Sequence, residues 1–208
     1  MKYSVHYSFK TELQSARKTV KDFEWCKKNG YKVKLPKGIN ERSPRSALYS
    51  AVKKDFLSNR IKINKIKVKV KALLIEHKSE IDNFFSNFGY RVPSLVNIYF
   101  TNYGTGGSYV LPNKVIVFFK DSAGWVVRMV IHETIHLIIE EPFIKKYKLN
   151  HWEKEAVVDA FFSSFLLKNI SQEYFFQPQT RNVRLRYLNK LKFKKRASLV
   201  KRGSRRQC

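Results

Sequence analysis

Residues 130–159 read VIHETIHLIIEEPFIKKYKLNHWEKEAVVD, and the organisation of the chain follows from how this stretch folds. His132 and His136 are four residues apart, so a helix brings both imidazoles to one face, one turn apart and within reach of a single ion. Glu133 projects to the side of that pair, where it can touch a water held by the ion. The enclosing run, DSAGWVVRMVIHETIHLIIEE, begins with Asp121 or Ser122 as a capping candidate, is apolar on most faces and stops at Pro142. It predicts a buried helix over 123–140. Asn150, with Glu153 three residues later, forms a capping-box arrangement ahead of a second largely buried helix over 151–168.

Glu155 and Asp159 stand at i and i+4 of that second helix and share a face. A catalytic zinc needs a third protein ligand and an open position for water. Glu155 can complete the set; Glu153 competes for the role but is better used as the cap. Asp159 can then accept a hydrogen bond from the non-ligating nitrogen of a ligand histidine and fix its tautomer. Two histidines and a glutamate buried together without an ion would each need a separate partner. Six of the sixteen acidic residues, Glu133, Glu140, Glu141, Glu153, Glu155 and Asp159, lie between 132 and 159. Such a cluster in a basic chain fits a bound cation, although a solvated helix face would explain Glu140 and Glu141 equally well. His151 reads as a solvent-facing histidine of the first turn. Tyr109, Tyr147, Arg128 and His77 are each candidate donors to an oxyanion, and the sequence does not choose among them.

HETIH, eighteen residues, and then EAVVD resemble the signature of the gluzincin clan of zinc metallopeptidases, H-E-x-x-H followed some eighteen or more residues later by E-x-x-x-D. The resemblance implies one Zn2+ on His132, His136 and Glu155, with Glu133 as general base and proton shuttle and Asp159 behind the ligands, in the hydrolysis of a peptide or protein substrate. It also implies a zincin-like core with an edge strand just before the active-site helix, and KVIVFF, ahead of DSAGW, sits in that place. The resemblance extends over roughly Val96 to Ile170. The stretch from WEKEA to FLL is also similar to cytoplasmic metallopeptidases that cleave repressors, but no helix-turn-helix accompanies it.

The rest of the chain sets the context. With 208 residues, 43% of them hydrophobic, and 16 Phe, 11 Tyr and 3 Trp, it has material for an ordinary domain core. A net charge of +26 predicts long-range attraction to nucleic acid, anionic membranes or acidic proteins. It supports the competing reading of a basic, nucleic-acid-associated or regulatory protein whose zinc is structural or non-hydrolytic. Two cysteines, Cys26 and Cys208, provide neither a disulfide framework nor a cysteine zinc site. With no apolar run long enough for a signal peptide or a membrane span, a cytoplasmic location is expected.

Gly30, Pro36, Gly38 and Pro44 interrupt an otherwise helical, basic region over 1–60, and Ser43-Pro44 suits the start of a helix through RSALYSAVKKDFL. Residues 61–70 alternate Ile or Val with Lys and suit either a strand or a Lys-faced helix, after which Leu73 to Phe88 carry a helical rhythm. SLVNIYFTNY and KVIVFF read as strands separated by a GTGGS loop. The expected architecture is α+β: a helical region over 1–60, a zincin-like core over 61–175 with a small, mainly antiparallel sheet, and a basic extension over 176–208.

Overall fold

The computed structural model describes residues 1–164, 178–180 and 183. Four strands, β1 (Lys2–His6), β2 (Leu95–Thr101), β3 (Gly107–Val110) and β4 (Lys114–Phe118), form one sheet in the order β1-β2-β4-β3. Val96, Ile98 and Phe100 of β2 are fully buried, as are Val115 and Val117 of β4. The alternation therefore gives the sheet one core face. Register aligns that face into rows: Val5, Ile98, Val115 and Tyr109 form one, and Phe100, Val117 and Gly107 the next. On the other face the His6 and Tyr99 rings stack and Lys114 Nζ lies 4.6 Å from the centre of Tyr99.

The helices are α1 (Phe9–Lys21), α2 (Phe23–Lys28), α3 (Arg45–Glu76), α4 (Lys78–Ser86), α5 (Ala123–Ile139) and α6 (His151–Ser164). Together with the sheet they make the α+β class expected. The detail differs in three respects. The sheet is not mainly antiparallel: β1-β2 and β2-β4 are parallel, and only β3-β4 is antiparallel. The four helices between β1 and β2 provide the long crossover that a parallel pair requires. Second, the N-terminal region is not purely helical, because KYSVH is β1, and the expected division at residue 60 falls inside the 32-residue α3. Third, KVIVFF does not lie at the edge. As β4 it is flanked by β2 and β3, and the edge strand beside α5 is β3, which begins inside the expected GTGGS loop.

Residues 61–70 are helical because Ile63, Ile66, Val70 and Leu74 bury one 3.6-residue stripe, and a strand could not place these four on one side. α1 is anchored by a buried carboxylate. Glu12 accepts hydrogen bonds from Thr101 Oγ1 at 2.8 Å, Asn102 N at 3.0 Å and Asn102 Nδ2 at 2.6 Å. Those bonds pin α1 to the end of β2 and offset the cost of burying Glu12, whose pKa is raised by that burial. Among the described residues no helix is long and apolar enough to cross a membrane. Residues 165–168, the expected end of the second ligand helix, lie outside the described residues, as does nearly all of the basic extension.

Candidate metal centre

α5 is buried along its length, packed against β3, β4, α3 and α6. Ser122 opens it, its hydroxyl accepting from Trp125 N at 3.3 Å. At Pro142, which has no N–H to donate, the helix does not stop but widens into a π-helical segment over Glu140–Lys145. α6 begins with the reciprocal cap expected of NHWE: Glu153 N donates to Asn150 Oδ1 at 2.9 Å, and Asn150 N donates to Glu153 Oε2 at 3.0 Å. Glu153 is thereby used as a cap, and Glu155, half a turn further on, faces α5.

The structure brings His132, His136 and Glu155 together as a buried group. The two Nε2 atoms are 3.2 Å apart, and the Glu155 oxygens lie 3.3 Å from His132 Nε2 and 3.4 Å from His136 Nε2. Four-coordinate ligands held at about 2.0–2.1 Å in tetrahedral directions are spaced about 3.3–3.4 Å from one another. The three donors therefore already have the separations of one face of such a shell. Two imidazole lone pairs and a carboxylate converging in a buried site also repel unless a proton or a cation sits among them. His136 Nδ1 is buried and, among the described residues, has no hydrogen-bond partner. It is the atom that must carry the proton when Nε2 is a ligand. Among the described residues no fourth His, Cys, Asp or Glu joins the group.

The electrostatics of the metal-free site follow from this geometry. Burial by itself lowers the pKa of His132, but the hydrogen bond to Glu155 and the charges of Glu133, Glu155 and Asp159 outweigh it and take it to about 9. Burial dominates at His136 and takes it down to about 4. Burial would raise Glu155, yet His136 and His132 together hold it well below the usual carboxylate range. One proton, on His132, thus neutralises the group where a cation otherwise would.

Glu133 stands beside this triad. It is 4% exposed, and burial pushes its pKa up to about 7, with Glu155 adding to the rise. Its carboxyl lies against the backbone of Gly107, where a Cβ would meet Oε1 at 2.3 Å. Asp159 is buried, accepts from Thr180 Oγ1 at 2.6 Å, and lies close enough to His132 for its charge to favour the imidazolium. Of the four candidate donors, Tyr109 is at the site. Its ring stacks on His136 at 5.0 Å and 8°, and its hydroxyl donates to Glu140 at 2.5 Å. His77 lies at the α3–α4 junction beside Glu80, Tyr147 packs against Phe143, and Arg128 is buried on α5 one turn before His132. Glu141 pairs with Lys145 on the surface.

Two residues had no visible role in the sequence. Gly107 was hidden in a loop-like GTGGS, although a glycine entering a strand is a signal for close approach. Tyr31 lies 120 positions before His151, yet its hydroxyl is 2.6 Å from His151 Nε2. Its pKa is raised by burial and by the charges of Glu155, Cys26, Glu133 and Asp159. Tyr31 stacks on Trp152 and His151 meets Trp25 edge-on. The same segment borders a cavity of about 380 Å³ lined by Trp25, Asn29, Asn150, His151, Trp152 and Glu153. His151 is therefore an aromatic-cluster residue whose ring nitrogen engages Tyr31, not a solvent-facing one. Comparison with known proteins gives no match: no family model fits the chain, and no curated protein or solved structure is similar to it.

Proposed function

We propose that the protein is a zinc-dependent metallopeptidase with a zincin-like core, in which His132, His136 and Glu155 hold one Zn2+, Glu133 is the general base and Asp159 supports His132. The observation that carries this reading is the 3.2–3.4 Å triangle of donor atoms with a second buried carboxyl, that of Glu133, beside it. Two nitrogens and one oxygen are a donor set that suits zinc, and three protein ligands leave a position open for chemistry. When bound, zinc supplies a Lewis acid that lowers the pKa of water toward 7 and polarises a carbonyl oxygen.

The chain's own residues account for the remainder. Glu133 takes a proton from the attacking water and delivers it to the leaving amine. Burial chiefly takes its pKa up to about 7, and a nearby cation would draw that value down and keep the carboxyl ionised, able to accept a proton. Gly107 lets the carboxyl lie against β3, and Tyr109, stacked on His136, restrains the ring that must present Nε2. Tyr31 is the donor we assign to the carbonyl oxygen. The hydroxyl of Tyr31 is held 2.6 Å from His151 Nε2, and with the proton of His151 on Nε2 the imidazole orients the phenol by donating to its oxygen. We place the reaction in a reducing compartment, the cytoplasm, a reading with which a chain of two cysteines is consistent.

Glu133→Gln tests the reading. The variant should keep its zinc and lose hydrolysis of a peptide library by about 10²–10⁴-fold; full activity with zinc retained would overturn it. The net charge of +26 favours nucleic-acid association as the second reading. Binding that falls steeply with salt, in a protein that cleaves no peptide, would select it.

A further inference from the structure

We infer that the outward face of α3 is a docking surface for an acidic amphipathic helix of a partner protein. α3 runs from Arg45 to Glu76 and buries Ile63, Ile66, Val70 and Leu74. On its opposite side Leu57, Ile61, Val68 and Ile75 are 59%, 73%, 68% and 74% exposed. At 3.6 residues per turn these four point within about 40° of one another and form a row about 27 Å long. Their spacing of four, seven and seven residues is that of a heptad seam, with Ile61, Val68 and Ile75 at one repeating position and Leu57 at the other. Asn64 and Lys71 fill the two remaining places of the second set. β-branched residues at the first position suit a two-helix seam, and an exposed row of this kind on a surface helix is ordinarily covered.

Charge selects the occupant. Lys53 and Arg60 line one flank of the row and Lys65 the other, Lys54 stands one heptad before Ile61 at the start of the row, and all four are exposed. A second copy of the chain would set these cations against their equivalents across the seam, which coiled coils avoid. Residues 181–208 contain Lys and Arg but no Asp or Glu, so that segment carries the wrong charge to cover the row. An anionic membrane would match the charge but not the shape. Helices that lie in a bilayer surface present a broad apolar face, commonly with Trp or Phe. This row is narrow, lacks aromatic residues and is interrupted by Asn64 and Lys71. What fits is a helix with apolar residues along one seam, Glu or Asp on both flanks, and an acid opposite Lys71.

The test uses the full chain and a synthetic acidic heptad peptide of about three repeats, Ile and Leu in the seam and Glu on the flanks. Its controls are a scrambled peptide of identical composition and vesicles of phosphatidylglycerol. At about 0.3 M salt, where surface charge is largely screened, the heptad peptide should bind at least about tenfold more tightly than the scrambled one. A double substitution, Ile61→Ser with Val68→Ser, should remove that advantage. Both positions are exposed, so the melting temperature should not change, and this is checked on the same sample. Equal binding of the two peptides would overturn the proposal, because charge alone would then be the cause. So would indifference to the double substitution. Vesicle binding lost in the double variant without peptide discrimination would assign the row to a membrane, and a concentration-dependent dimer lost in the same variant would assign it to a second copy.

Discussion

Gly107 is where the local physics is sharpest. A methyl group added there would sit 2.3 Å from Glu133 Oε1, 2.7 Å from Cγ and 2.8 Å from Cδ, against 3.4 Å for ordinary contact. The Glu133 carboxyl must therefore retreat by about 1 Å, into surroundings that are already packed, since Glu133 is 4% exposed. Gly107 is in a strand and does not have a left-handed backbone conformation, so Gly107→Ala acts through this contact alone. Overpacking of this size costs about 1–3 kcal/mol, which for a chain of this length lowers the melting temperature by about 2–4 °C per kcal/mol. A base displaced by about 1 Å loses on the order of a hundredfold in rate.

The assay measures thermal unfolding, zinc content by elemental analysis and peptide-library hydrolysis on wild type, Gly107→Ala and Gly107→Ala/Glu133→Asp. We expect the single variant to keep its zinc, melt lower and hydrolyse poorly. In the double variant the shorter side chain makes room for the methyl group, so stability should recover while activity stays low. The decisive comparison is the stability pair, because it requires no substrate. If Gly107→Ala melts with wild type, or if Glu133→Asp fails to relieve it, the close approach of β3 to Glu133 is not as described.

His132→Ala and Glu155→Ala should each abolish zinc retention on dialysis, whereas Glu153→Ala should retain zinc and lose only about 0.5–2 kcal/mol as a broken cap. Zinc affinity should rise with pH up to about 9, because zinc displaces the proton that His132 holds in the metal-free site. Proton release measured on titration with Zn2+ checks this, and a pH-independent affinity would contradict it. The signs for the metal-free protein follow from the same groups. His132 and Glu133 have raised values, so their contribution is present at low pH and is lost as pH rises through about 7 and then about 9. His136 is depressed, so its contribution is lost as pH falls through about 4; denaturant melts across this range, with and without zinc, read both limbs. Tyr31→Phe should keep zinc and lower kcat by about 10²–10³-fold with little change in KM, as removal of an oxyanion donor does. Glu12→Ala strands three buried donors on Thr101 and Asn102, and should cost about 2–5 kcal/mol in denaturant unfolding.

The helices that carry His132, His136 and Glu155 were legible because their signals are local. His132 and His136 share a face by spacing alone, Asn150 and Glu153 cap by spacing alone, and α5 ends at Ile139 against an expected 140. What escaped sequence reading was non-local. KYSVH is too short to stand out beside a helical run, and it becomes a strand because β2 offers it a parallel partner 93 positions away. The 61–70 segment supports both periods, and burial of Ile63, Ile66 and Val70 decides for the helix. The edge position was assigned to KVIVFF from its place just ahead of DSAGW, without regard to its apolar character. That same character, with Val115 and Val117 fully buried, places it inside the sheet and leaves the shorter, glycine-led β3 at the rim.

That exchange of places matters to the chemistry. On β3 the inward positions are Gly107 and Tyr109, in register with Val117 and Val115 of β4, and they face Glu133 and His136 respectively. Slipping β3 by one residue would turn both outward and bring Ser108 in. The HETIH pattern therefore accounts for which atoms converge, but not for the surroundings that set the proton affinity of Glu133. Those come from a strand whose register is held by β4 and from α6, which brings Glu155 opposite. A chain with the same five motif residues and a bulkier residue at 107 would keep the donor triangle and lose the room that the Glu133 carboxyl requires.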